Sequence, residues 1–165
     1  IIISHKHWDH AGGLSTLLYE TKQPTVIVPT SFSSRLKAEI TKFAELREVD
    51  GKTISEVLPT IRTTIELETD DQTLTEIALI IETKKGLVVL SGCAHPGLDK
   101  IIDNVKKQGE LFAVIGGFHG FSNIELLKNL GLILPCHCTK EKKKILESYP
   151  RTAQECYSGL FLEFE

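Results

Sequence analysis

The chain has 165 residues, enough for one domain (1–165) with one sizeable core. Its 41% hydrophobic and 25% charged residues argue against disorder and fibrous classes, and a net charge of −3 offers nucleic acid no basic field. No apolar run approaches the ~20 residues of a bilayer span, and no cleavable leader pattern stands at the front. The expectation is a cytoplasmic protein with no membrane or nucleic-acid partner.

Ile1 to Ser4 reads as a buried strand. The first residue is Ile and the chain opens inside that strand, so an N-terminal truncation is expected. Gly13 to Thr21 predicts a short helix, and Thr25 to Val28 a strand. Ser33 to Arg47 carries Leu36, Ile40, Phe43, Ala44 and Leu46 at helical spacing, with Ser33 or Ser34 as cap, and predicts one long helix. After Asp50-Gly51 the pattern turns to β: Thr53 to Leu58, Ile61 to Leu67, Ile77 to Glu82 and Leu87 to Leu90, with Lys84-Lys85-Gly86 as a hairpin turn. Pro96 to Gln108 predicts a helix stopped by Gly109. Leu111 to Ile115 and Leu132 to Leu134 read as strands, Ser122 to Leu130 and Thr139 to Ser148 as helices, and Gly159 to Phe164 as a last strand.

Every histidine of the chain falls in a loop that follows an apolar run. Ile1-Ile2-Ile3 leads into His5-Lys6-His7-Trp8-Asp9-His10, four potential metal ligands in six positions. Leu87-Val88-Val89-Leu90 leads to Cys93-Ala94-His95, Phe112-Ala113-Val114-Ile115 to His119, and Leu132-Ile133-Leu134 to His137. Loops at the carboxyl ends of strands converge on one sheet edge in α/β folds. Imidazole nitrogen and carboxylate oxygen are common ligands, so His5, His7, Asp9, His10, His95, His119 and His137 form the candidate metal set. In an extended segment His5, His7 and Asp9 project to one side. Two metals roughly 3.5–4 Å apart suit such a donor-rich loop.

Three of the four cysteines, Cys93, Cys136 and Cys138, lie within two residues of a histidine, which suits reduced, metal-proximal thiols better than a disulfide scaffold. Cys93 reads first as a small buried residue beside the metal and second as a ligand. Cys136 and Cys138 read as packing on either side of a strand end, and Cys156 as inert. Trp8 reads as packing under the metals in preference to stacking on a ring-bearing substrate. Lys140 to Lys144 reads first as a solvated helix face.

The His5-x-His7-x-Asp9-His10 loop, after an apolar strand and before Gly12-Gly13, resembles the signature of the metallo-β-lactamase-fold superfamily. Thr75-Glu76-Ile77-Ala78-Leu79, Ser91 to Gly97, Ile115 to His119 and Pro135 to Thr139 are similar to a prokaryotic subfamily of dihydropterin-ribofuranosylaminobenzene phosphate synthases. The likeness runs from Ile1 to about Thr139. It implies an αββα four-layer sandwich of the α/β class, short of its first strand or strands, since the family carries strands before the signature loop. Hydrolytic members place a bridging Asp after the strand that ends here at Leu90, and this chain has none. Either Cys93 or His95 takes that place, or His95 fills the third-His role and His119 replaces the carboxylate. The late His of the family matches His137. Di-iron oxygen reductases of the superfamily carry Glu where this chain has His7, which disfavours that branch.

Three functions follow as expectations. The first is a hydrolase with a binuclear centre, zinc preferred and manganese or iron admissible, acting on a phosphodiester or other ester-like small molecule. Asp9 ligates a metal and orients the nucleophile, and His119 donates a proton to the leaving group. The second is a pterin phosphate-type synthase on the same metals, with a phosphorylated small-molecule substrate. The third is a non-catalytic metal-binding domain whose exposed sheet edge invites oligomers.

Overall fold

The computed structural model describes residues 1–164. In chain order, α1 is Trp8–Ala11, α2 Leu14–Glu20, β1 Thr25–Pro29, α3 Ser34–Ile40 and β2 Glu45–Val49. Short strands β3 (Glu56–Leu58), β4 (Ile61–Thr63), β5 (Leu67–Glu68) and β6 (Thr75–Glu76) precede β7 (Leu79–Thr83) and β8 (Gly86–Ser91). Then come α4 (Leu98–Lys106), β9 (Leu111–Gly116), a 3-10 turn at Ile124–Leu127, β10 (Leu132–Pro135) and α5 (Lys142–Ser148).

Alternation along β1 sets the layers. Val26 and Val28 face α2 and α3 and pack with Leu14, Leu18, Phe32 and Ile40. Ile27 points the other way and meets Val49 and Ile77 in the seam between the sheets. Beyond that seam lies a six-stranded sheet in the order β10-β9-β8-β7-β4-β3. Its β8, β9 and β10 are parallel, and β7 joins β8 as an antiparallel hairpin. Ile80, Leu87, Val89, Val114 and Ile133 cover its far face against Leu98, Ile101, Ile102 and Val105 of α4 and Ile145 of α5. These α4 positions recur at helical spacing, and each such burial contributes roughly 1.5–3 kcal/mol. Helices, sheet, sheet and helices give the expected αββα sandwich.

Five elements differ from the sequence reading. Ile1–Ser4 is a single bridge, Ile2↔Ile27, in place of a strand. Ile61–Leu67 divides into β4 of the six-stranded sheet and β5, which pairs with β6. The long helix expected over Ser33–Arg47 ends at Ile40, and Glu45–Val49 becomes β2, parallel to β1 in the register Leu46↔Val26. Ser33 is the cap, its hydroxyl accepting from the Leu36 amide. The open flank of β1 draws residues 45–49 into strand pairing, and Glu45, Arg47 and Glu48 leave β2 a charged edge. Ser122–Leu130 holds only the 3-10 turn. Gly159–Phe164 forms no strand. Among the described residues tail pairing is confined to the bridge Ile133↔Ala153, after which Phe161 stands 81% exposed. Among the described residues no helix is long and apolar enough to cross a membrane.

Candidate metal centre

The chain enters the site as extended backbone tied to β1, with the Ile3 amide donating to Ile27 O at 3.0 Å. His5 thus arrives fully buried, its Nδ1 3.0 Å from Ser4 Oγ. The extended run lasts only through His7. At Trp8 the backbone turns into α1, and His7 O accepts from the amides of His10 and Ala11 at 3.0 and 2.8 Å. The expected common side of His5, His7 and Asp9 therefore holds for the two histidines, whose ring centroids lie 4.8 Å apart. The helical turn swings His10 over His5, with centroids 4.1 Å apart. Asp9 faces outward, its Oδ2 3.6 Å from His10 Nε2. Trp8, expected to pack, is 84% exposed because the single turn of α1 buries no side chain.

The other donors come from the neighbouring ends of β8, β9 and β10, whose parallel pairing sets their carboxyl ends on one edge. All six histidine rings form one unbroken run. His119 lies 4.7 Å from His95, and His95 lies 4.6 Å from His7 and 4.8 Å from His5. His10 then reaches His137 at 5.5 Å. Exposed His119 touches only one end of this run, and exposed His137 only the other.

Within the run two donor groups stand out. His5, Cys93 and His95 form one, and His10, Cys93 and His137 the other, with donor atoms within 4.8 Å of one another. Cys93 belongs to both. Its Sγ is 3.2 Å from His10 Nε2 and 3.4 Å from His137 Nε2. Asp9, His7 and His119 stand beside these groups. Among the described residues all four cysteines are free.

These donors fit a metal on two grounds. His5 Nε2 and His95 Nε2 are buried without a hydrogen-bond partner among the described residues. Such an orphan costs about 1–3 kcal/mol, and a cation at the nitrogen lone pair removes the deficit. The second ground is charge. Burial and then neighbouring His10, His95 and His7 push the pKa of His5 down to about 3. Burial is also the leading cause of the lowered pKa values of His10 and His95. Neutral imidazoles crowded with a thiol are the donor chemistry of nitrogen- and sulfur-binding divalent ions.

Two features of the frame escaped the sequence reading. Glu76 is fully buried at the end of β6. Its Oε1 accepts from the amides of Cys93 at 2.8 Å and Ala94 at 3.1 Å, and its Oε2 from the amide of His95 at 2.8 Å. An acid inside the apolar stretch Leu74 to Leu79 was the available signal. The second feature is the close approach of three strand ends at Gly116-Gly117. Gly116 has φ +129°, and a Cβ on Gly117 would lie 2.6 Å from Gly92 O and 3.1 Å from Cys93 Cα.

A cavity of about 420 Å³ opens beside the His95 and His119 end. Lys100, Asn123, Asp70 and Asp99 contribute its polar walls.

The metallo-beta-lactamase superfamily profile matches residues 1–120. The chain is 28% identical over 220 residues to the 7,8-dihydropterin-6-methyl-4-(beta-D-ribofuranosyl)-aminobenzene-5'-phosphate synthase of Methanocaldococcus jannaschii, covering 99% of this chain and 74% of that protein. The crystal structure of Tm1679, a metal-dependent hydrolase of the beta-lactamase superfamily, superposes with a TM-score of 0.76 at 26% identity, covering 98% of this chain and 78% of the other. The metallo-beta-lactamase fold protein YhfI from Bacillus subtilis shares the fold, with a TM-score of 0.68 at 13% identity over 98% of this chain and 76% of that one. With the profile spanning 120 of 165 residues, the chain belongs to the metallo-beta-lactamase superfamily.

Proposed function

We propose that the chain is a metal-dependent hydrolase of ester-like or phosphoester small molecules, built on a two-ion centre. The observation that carries this reading is the pair of donor groups sharing Cys93, with two orphaned imidazole nitrogens at its core. One ion is assigned to His5, Cys93 and His95, with His7 alongside; the other to His10, Cys93 and His137, with Asp9 alongside. Cys93 thereby takes the place of the missing bridging carboxylate. Zinc suits this set best, with manganese or iron as alternatives. When bound, the ions supply Lewis acidity and lower the pKa of water toward neutrality.

The chain's own groups do the rest. Asp9, exposed and 3.6 Å from His10 Nε2, is an acceptor placed to orient an attacking water. His119 stands at the cavity mouth against His95 and is the group assigned to protonate the leaving oxygen. The cavity takes the substrate body, with Lys100 and Asn123 as polar contacts.

A second reading, synthesis on a pterin phosphate at the same centre, is favoured by the name of the 28% identical relative. Metal analysis of the purified chain, followed by turnover assays on phosphodiesters, thioesters and lactams, tests the first reading. Two bound equivalents and turnover lost in His7→Ala are expected. Fewer than one equivalent, or undiminished turnover in His7→Ala, rejects it. Metal-dependent consumption of a 6-methyl-activated dihydropterin together with a ribofuranosylaminobenzene phosphate, without ester hydrolysis, selects the second.

A further inference from the structure

The loop Gly92 to His95 carries two of the assigned donors, yet its backbone is not relaxed. Ala94 has φ +58°, a left-handed conformation that a residue with a Cβ adopts at a cost. Amides 93, 94 and 95 all turn inward onto one carboxylate, that of Glu76. Successive amides converging through a left-handed residue form a backbone nest, a concavity suited to an anion. Here the anion is a side chain of the same protein.

The Glu76 strand is anchored to the other donor loop as well. Immediately after it, the Ile77 amide donates to Ser4 O at 3.0 Å, and Ser4 Oγ lies 3.0 Å from His5 Nδ1. One short segment therefore spans the two loops, with its backbone on Ser4-His5 and its side chain on Cys93–His95.

We infer that Glu76 is a positioning residue for the metal centre: its carboxylate holds Ala94 in the left-handed conformation that aims the Cys93 thiol and the His95 ring at the same point. This rests on the metal reading above. Among the described residues Glu76 hydrogen-bonds to the backbone amides of their loop and to neither donor side chain. Removing such an outer partner typically costs about 10–100-fold in metal affinity.

The test is cobalt(II) titration of the metal-free protein, read by the thiolate-to-cobalt charge-transfer absorption and by calorimetry, with far-UV circular dichroism as the fold control. Glu76→Gln keeps the shape but sets an amide NH2 against the His95 amide. The expected result is a native dichroism spectrum, about 10–100-fold weaker cobalt binding and a diminished sulfur band. Adding Ala94→Gly, which makes φ +58° accessible without help, should restore part of the affinity. Glu76→Asp is the second variant, keeping the charge but withdrawing it by one methylene, and weaker binding is expected again. Wild-type affinity and spectrum in Glu76→Gln overturn the inference and leave the metal reading intact. So does failure of both variants to fold, because the carboxylate then serves the core and not the site. Absence of cobalt binding by the wild-type chain overturns the metal reading, and the inference with it.

Discussion

At the residue scale the decisive atom is Cys93 Sγ. Burial, helped by a hydrogen bond to Cys138, pushes this thiol well above the ordinary cysteine range. Alone it is a poor nucleophile, but a cation inverts that preference, because a coordinating thiol loses its proton outright. Cys93→Ser is therefore expected to weaken both ions together, whereas His137→Ala should release only one. Cobalt titration separates these outcomes, and two ions bound with unchanged affinity in Cys93→Ser would refute the sharing. His5 yields a pH prediction for the metal-free protein. Its folded pKa, about 3, lies below the ordinary 6.5, so between these values the unfolded chain takes a proton that the folded chain refuses. Stability is then complete above about pH 6.5 and falls as the pH drops toward 3, with His10 and His95 shifting the same way. A urea midpoint that stays constant from about pH 7 to about pH 4 would contradict this.

At the element scale the three parallel strand ends decide the geometry, and Gly117 is where they come nearest. Gly117→Ala places a methyl 2.6 Å from Gly92 O, so the loops bearing Cys93 and Cys138 must part. Such overpacking costs about 1–3 kcal/mol, and metal affinity should drop with it. Gly120→Ala is the control, since nothing lies within 4 Å of the added carbon, and thermal melts of the two variants check the contrast. Element legibility followed how local each signal was. The strands before Cys93, His119 and His137 were readable because buried parallel strands are continuous apolar runs bounded by glycine. β2 was not, because Leu36, Ile40, Phe43, Ala44 and Leu46 keep helical spacing through residue 46. Pairing with β1, a tertiary effect, overrides that spacing. Glu76 was equally opaque as a support, since its partners lie 17 to 19 positions away and meet it only once both sheets are built.

At the scale of the whole molecule, the gathering of the histidines was legible from residue type and spacing, whereas the place of Cys93 in both donor groups was not, and the division into two groups depends on how α1 turns. Ions that bind only the folded chain stabilise it by mass action, about 2.7 kcal/mol at a hundredfold excess over Kd. For a protein of this size that predicts a chelator-induced fall in Tm of roughly 5–10 °C. Differential scanning calorimetry with and without chelator measures it, and an unchanged Tm would mean that the donor groups hold no ion.

The donors also lie on opposite sides of the exposed turn at residues 70–73. His5, His7 and His10 precede it, and Cys93, His95 and His137 follow. Neither half of the polypeptide owns a complete group. Severed at that turn, the protein is expected to give two complementary fragments that pair through β4–β7 and β5–β6 and whose reunion a bound ion would tighten. The ion proposed as a reagent in the intact chain would be, between the fragments, a clasp.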